Sequence, residues 1–437
     1  MLKEDTVNQE GECFLGKTSA ILAKLNNIGW FEFGFLWGIF FAPWGPVPRY
    51  LGWAISIGAW LSSKKVREET KGSLPLPFRM LLVAFVGWSF FVTGISGVSL
   101  HGFVKGASNP VEMAFSIWLA ASVLRKEGAP RRCVLTLWAT TVLTGSWTLF
   151  RYLAASLGIF SEYVPGPFSN INTLGGYAFP LCAFWFALSI DPDNQWKLKA
   201  VSGLIFSICM LFLSFSSLPW IATLTACVAG SILLRFEGGN LRPAVRGLAI
   251  AMAVIALLVA FPGKPIAKAS LQREIAQIST VNDPKTFTNN RTAFVQGTVF
   301  LFRQKPVTGW GWGRFEDIFP IAQRELGLHS DENPLSPHNL YLGLLCESGV
   351  IGLALFVCIV LSVFSAAWKF RKGNRKGLAV AILSVILAYG GYSLGGSVFD
   401  ARRDTGCLTW FLLGSVWILQ NNIEPVALQA KRRDLPF

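Results

Sequence analysis

Twelve apolar runs divide this sequence, at about 29–44, 50–62, 79–99, 110–124, 133–150, 171–190, 199–216, 219–234, 246–262, 340–368, 377–396 and 405–420. A helix of about 20 apolar residues crosses the roughly 30 Å hydrocarbon core of a bilayer. It does so because backbone N–H and C=O groups find no water there and must bond to each other. A chain patterned this way folds as a polytopic bundle of about twelve transmembrane helices. The composition agrees, with 52% of the 437 residues hydrophobic and only 15% charged, against about 25% charged in an average soluble domain. A soluble globule and a disordered chain are both excluded. No fixed period of 20–50 residues recurs, which argues against a repeat array.

The basic residues orient the bundle. With the N-terminus in the cytoplasm and the loops alternating, 25 of the 39 Lys and Arg residues fall on the cytoplasmic side, as the positive-inside rule requires. The short outer loops hold five: Arg49, Lys105, Arg151, Arg402 and Arg403. The formal charge of +14 is thereby explained as a rim facing membrane lipids, with no nucleic acid implied. The leader, 1–28, lacks the basic-then-apolar pattern and cleavage site of a secretory signal, and reads as a mature cytoplasmic tail. The expected organisation is that tail, spans 1–9 over 29–262, a large outer loop over 263–339, spans 10–12 over 340–420, and a basic cytoplasmic tail over 421–437. Seven of the eight cysteines, all but Cys13, lie in or at the edge of a span with no CxxC pair. They read as small buried apolar residues.

The loop 263–339 is long enough to fold by itself, and it reads as helical. Pro265 to Ser279 has helical composition. Thr288 or Asn289 stands where it would cap a second helix from about Asn290 to Gln304, with Phe294, Thr298, Leu301 and Phe302 at roughly helical spacing. A turn, Gly309-Trp310-Gly311-Trp312-Gly313, leads into a third helix at about 314–326. The segment forms a helical cap over the outer face of the bundle.

Three histidines are present, His101, His329 and His338. A histidine in an outer loop is usually structural. His338 stands apart because it sits between Pro337 and Asn339 at the mouth of the tenth span, where a membrane-bound substrate meets water. Imidazole titrates near neutrality, which suits a general base. No second ligand lies at metal spacing, so neither a metal nor any other cofactor is expected.

His338-Asn339, nine residues, Gly349, two residues and Gly352 read H-N-x9-G-x-x-G. With Arg291 upstream and Gly309-Trp310-Gly311-Trp312-Gly313-Arg314-Phe315 between, the pattern resembles the O-antigen ligase superfamily of WaaL-type ligases and Wzy-type polymerases. The likeness covers about Arg291 to Phe356, and Pro167-Phe168-Ser169-Asn170-Ile171-Asn172 matches a weaker family pattern. The resemblance implies an all-α, GT-C-like membrane bundle with a helical periplasmic loop domain. It also implies an inverting, metal-independent glycosyltransferase, multi-pass in a bacterial inner membrane, with its site facing the periplasm. The donor would be a glycan (O-antigen) on undecaprenyl diphosphate, and the acceptor a sugar hydroxyl of lipid A–core oligosaccharide, in lipopolysaccharide biosynthesis. A glycan chain-length regulator is a possible partner. His338 would deprotonate or orient the acceptor hydroxyl, and Arg291 would hold diphosphate oxygens with its planar fork. Without the family, Arg291 reads as a solvated arginine at a helix start.

One departure stands out. Family members carry a second phosphate-binding arginine between the seventh and eighth spans. The comparable stretch here is Leu213-Ser214-Phe215-Ser216-Ser217-Leu218-Pro219-Trp220, with Ser217 in the arginine's place. A diphosphate near a membrane still needs its charge compensated. Arg151 is the first candidate and Arg403 the second, followed by Arg402, Lys105 and Arg49; each is otherwise a headgroup anchor or a partner of Asp400 or Asp404. Asn339, Gly311 and Trp312 are further candidates to contact glycan or diphosphate. Trp310 and Trp312 otherwise belong to the interfacial aromatic belt. Gly349 and Gly352 read as close helix packing, and Glu347 as an interfacial carboxylate.

Two other functions compete. A Wzy-type polymerase would take a second lipid-linked repeat as acceptor. The R-x10-G loops of such polymerases fail here, because Glu162 and Phe302 stand eleven residues after Arg151 and Arg291. A transporter or exporter predicts charge deep in the spans and symmetric halves. The spans show almost no such charge, and the chain is lopsided about its long loop.

Overall fold

The computed structural model describes residues 29–97, 99–168, 170–191, 195–235, 239–261, 265–279, 291–328, 337–372, 375–396 and 406–419. Among the described residues there is no strand. The helices are α1 (Trp30–Phe40), α2 (Pro46–Ser62), α3 (Lys64–Thr70), α4 (Leu76–Ile95), α5 (Leu100–Val123), α6 (Ala129–Ser156), α7 (Ile171–Ile190) and α8 (Lys197–Leu213). They continue with α9 (Ser217–Arg235), α10 (Arg242–Ala260), α11 (Ile266–Ser279), α12 (Arg291–Gln304), α13 (Phe315–Leu326), α14 (Leu340–Phe370), α15 (Lys376–Tyr392) and α16 (Gly406–Gly414). The chain is a polytopic helical membrane protein. Each of the twelve apolar runs coincides with a helix. Six, namely α4, α6, α7, α9, α10 and α14, are long and apolar enough to cross a bilayer unaided. At 11 residues, α1 spans about 16 Å, well short of the hydrocarbon core. It forms a hairpin with α2 instead, zipped where Gly34 and Gly52 bring the two backbones together.

The sequence of α7 is apolar on every side and carries no charge, so it has no face to give to water or lipid. It lies at the centre, buried along nearly its whole length, with α8, α9, α10 and α15 packed around it. Small residues let these helices approach. A Cβ on Gly203 of α8 would stand 2.7 Å from the Trp185 ring, and one on Gly175 of α7 would stand 2.7 Å from the Pro219 ring.

The helices of the outer segment occupy the ranges that their periodicity predicts. Phe294, Thr298 and Leu301 are fully buried, whereas Phe302, read on the same face, is only half-buried. Phe294 and Leu301 form a small second core with Phe315, Ile318, Phe319 and Ala322 of α13 and Cys346 of α14. Gly297 lets α12 settle against the Phe319 ring. Thr288, Asn289, His329, Arg402, Arg403 and both tails lie outside the described residues.

Two charges at helix starts are buried in the bundle, and one of them corrects the reading of Arg49 as a headgroup anchor. Arg49 is an outer-loop headgroup anchor by sequence but is wholly buried. Its guanidinium lies 5.0 Å and 5.6 Å from the rings of Tyr50 and Trp53, and it donates to the Cys407 sulfur at 3.8 Å. The second is Glu32, also buried, which accepts a bidentate pair from Arg132 at 2.5 and 3.0 Å. Both charges are paired or ring-packed, so a buried charge here is a packing device.

Candidate active site

The site begins at a break in α14. Gly349 has φ 67 and ψ −173 inside an otherwise helical run, a conformation that costs a side-chain-bearing residue dearly. A Cβ there would also collide with the Val307 carbonyl oxygen. The glycine thus serves backbone insertion, where close helix packing was expected. Val350 N–H donates to Pro306 O, Trp310 N–H to Cys346 O and Gly311 N–H to Glu347 O, all at 2.9 Å. The Gly/Trp turn is stitched by its main chain to the break.

Once seated, the turn positions α13. Glu347 Oε1 accepts from Phe315 N–H at 3.1 Å and so supplies an N-terminal cap across the chain, favourable at the positive end of a helix. This is a structural role that the sequence reading missed. Trp312 is 3% exposed, its ring edge-on to Phe85 and its backbone N–H donating to Thr93 Oγ1 at 3.1 Å. That corrects both readings of Trp312, since a ring inside the bundle can neither stack on a sugar nor join an interfacial belt. Gly311 is corrected likewise. It is buried, and a Cβ on it would stand 2.5 Å from Ser96 Oγ, so close packing fills the space a sugar would need. The Trp310 indole N–H donates to Leu301 O at 2.8 Å, and Lys305 sits over its ring at 4.1 Å.

His338 follows buried Pro337 and immediately precedes α14. Its φ is 50, and Phe215, with φ 44, is the other non-glycine residue of positive φ among the described residues. Such backbone costs energy and concentrates at functional sites. The half-buried His338 ring lies 5.5 Å from that of Phe294, inclined at 52°. Phe294 is three residues along α12 from Arg291, and residues three apart share a helix face. The helix start that bears Arg291 is thereby brought beside His338. Arg291 is described in its backbone alone.

Asn339 is the N-cap of α14. Its Oδ1 accepts from Leu342 N–H at 3.0 Å, and its Nδ2 donates to Leu394 O at 3.0 Å. The oxygen thus caps α14 and the amide nitrogen ties that cap to the end of α15, which makes Asn339 a positioning residue. Beside it, Leu340 N–H donates to Ser393 O at 2.9 Å, and a Cβ on Gly395 would stand 3.1 Å from Leu218. The corner that carries Ser217 is thus one residue layer from Asn339, and the strained Phe215 belongs to it.

Arg151 lies near this corner. Tyr163 donates to Leu213 O at 3.1 Å, and its ring meets Phe215 at 5.9 Å and Tyr152 at 5.8 Å. Burial pushes the Tyr163 hydroxyl well above its ordinary pKa, while the charge of Arg151 pulls it back. The Arg151 guanidinium rests 4.0 Å over Phe160, and its buried Nε has no hydrogen-bond partner among the described residues. The Pro167–Asn172 pattern proves to be a cap. Asn170 Oδ1 accepts from Thr173 N–H at 2.8 Å, opening α7 at this same face. Among the described residues no cluster of His, Cys, Asp and Glu could hold a metal.

Comparison with known proteins covers this part of the chain. Residues 202–357 match the family described as O-Antigen ligase. The O-antigen ligase of Pseudomonas aeruginosa PAO1 is 37% identical over 90 residues, 19% of this chain and 21% of that protein. Putative polysaccharide ligases of Rickettsia typhi and Rickettsia prowazekii are 30% and 29% identical over 120 residues, in each case 26% of this chain and 27% of the relative. The chain thus aligns with about a fifth to a quarter of the length of these relatives. The stretch from Ser202 to Val357, which holds both Arg291 and His338, is thus similar to the O-antigen ligase family.

Proposed function

We propose that this protein transfers a glycan from undecaprenyl diphosphate to a sugar hydroxyl of lipid A–core oligosaccharide, with inversion, at the periplasmic face of the inner membrane. The packing of His338 on Phe294, one helical turn from Arg291, carries the reading. An acceptor hydroxyl at His338 gives its proton to the imidazole as its oxygen attacks the anomeric carbon. The bond from that carbon to diphosphate breaks, and the electron pair leaves with undecaprenyl diphosphate. Negative charge then grows on the leaving phosphate, where a guanidinium fork at Arg291 stabilises it.

Arg151 supplies the second positive charge in this reading, since Ser217 cannot. Its support is the buried Nε, without a hydrogen-bond partner among the described residues, and its place beside the Tyr163–Phe215 corner. The step calls for no metal, because the diphosphate already makes a good leaving group.

The test mixes purified full-length protein with undecaprenyl-diphosphate glycan and either lipid A–core or a second lipid-linked repeat. Growth of lipid A–core is the expected result. Growth of the lipid-linked repeat alone overturns the ligase in favour of a polymerase, and growth of neither overturns glycan transfer.

A further inference from the structure

A second group of cations lies at the opposite end of the bundle from His338. The C-terminal end of α8, at Leu213, belongs to the His338 face, so its start at Lys197 lies at the far end, about 25 Å away along a 17-residue helix. There Arg131 of α6 and Lys199 of α8 share the indole of Trp196, which precedes α8, at 5.4 and 5.2 Å. Lys199 also lies 5.8 Å over Trp138, whose indole N–H is held by Ser202 Oγ at 2.9 Å.

Neither cation has a carboxylate partner among the described residues, whereas several neighbouring cations do. Arg132, next to Arg131, holds Glu32, Lys126 holds Glu69 at 3.3 Å, and Lys71 holds Glu68 at 2.7 Å. Two like charges on one ring stand no farther apart than the sum of their distances to it. That upper bound is near the Debye length of about 8 Å in physiological salt, so their repulsion is weakened but not abolished by screening. The two helices hold the charges together without supplying their counter-ion.

We propose that the phosphate of an anionic phospholipid occupies this position between α6 and α8. Helix ends with basic pockets between them seat such headgroups, and the site joins directly to apolar surface. Leu198, between Lys197 and Lys199, is 83% exposed and provides a seat for acyl chain beside the headgroup. A free phosphate would gain nothing from that leucine. The lipid phosphate lies between the guanidinium and the ammonium and removes their repulsion.

Native mass spectrometry of the full-length protein measures retention of phosphatidylglycerol against phosphatidylcholine of the same acyl chains, with inorganic phosphate as a third probe. The wild type retains phosphatidylglycerol preferentially. Arg131→Gln with Lys199→Gln lowers that retention on the order of tenfold, whereas Arg131→Lys with Lys199→Arg keeps it. Each single Gln variant gives a partial loss, which preserves the test if the double variant does not fold. Equal retention of the two lipids by the wild type overturns the proposal. So does undiminished phosphatidylglycerol retention in the Gln variants, or inorganic phosphate competing as strongly as the lipid.

Discussion

The His338 ring leans on the Phe294 ring at a centroid distance of 5.5 Å, and Phe294 is fully buried in the core that joins α12, α13 and α14. The imidazole is therefore aimed by a side chain of the helix that begins with Arg291. Phe294→Leu keeps an apolar residue in that core but removes the flat shelf and leaves a small void, at a cost of about 1–2 kcal/mol. Turnover measured well below the thermal midpoint should fall about tenfold, with the midpoint lowered by only a few degrees. His338→Ala should leave the protein inserted and monodisperse while transfer falls by about 100-fold or more. Unchanged transfer in purified His338→Ala protein would remove the imidazole from the mechanism.

Arg291 separates charge from shape. Arg291→Lys retains a cation but loses the planar fork that grips two phosphate oxygens. A charged hydrogen bond contributes about 1.5–3 kcal/mol, so kcat/KM for the lipid-linked donor should drop roughly 10- to 150-fold, with little change in acceptor KM. Near-normal turnover by Arg291→Lys would leave Arg291 as a helix anchor only.

The spans and the helices of the outer segment were readable because their signals are local. Phe294, Thr298 and Leu301 repeat at helical spacing and all are buried. The break at Gly349 was not readable, since its cause is the Val307 carbonyl, more than forty residues away. Trp312 looked like a surface aromatic because a Gly/Trp turn in a loop gives no hint that Thr93 and Phe85 wait for it inside the bundle. The burial of Arg49 depends on rings from its own helix and on Cys407, 358 positions along the chain. His338 and Arg291 were found through a motif, yet the Phe294 shelf was signalled by spacing alone, three residues from Arg291 on a face already read as apolar. Asn339 and Asn170 were equally legible as caps, each an asparagine directly before an apolar helix.

Gly349→Ala tests whether the broken helix is structural. The substitution imposes positive φ on a side-chain-bearing residue and drives its Cβ into the Val307 carbonyl, costing about 2 kcal/mol or more. The Gly/Trp turn should detach. Limited proteolysis should then cut within 305–314, and transfer should fall even though neither His338 nor Arg291 has changed. Full protection of that turn in Gly349→Ala protein would show that the stitching tolerates the side chain.

Asn339 performs two separable tasks. Asn339→Ala loses the cap on Leu342 and the bond to Leu394, and should destabilise the protein by about 0.5–2 kcal/mol. Asn339→Asp keeps the capping oxygen but donates nothing to Leu394, so its thermal midpoint should lie between wild type and Asn339→Ala. A midpoint for Asn339→Asp equal to that of Asn339→Ala would mean that the tie to α15, and not the cap, holds this end of α14.

Arg151 and Ser217 form the last pair to separate. The buried Arg151 Nε has no hydrogen-bond partner among the described residues, and Arg151 neighbours the corner that holds Ser217 through Tyr163 and Phe215. If Arg151 compensates the second diphosphate charge, Arg151→Gln should raise donor KM about tenfold or more, the worth of one charged hydrogen bond, and leave acceptor KM alone. Adding Ser217→Arg to that variant puts a guanidinium on the same face from the first turn of α9, and donor KM should recover. Recovery needs a cation near one point in space and not a particular residue, so a fold-stabilising role for Arg151 would not be rescued this way. A double variant no better than Arg151→Gln, with both proteins equally stable, would place the second charge elsewhere.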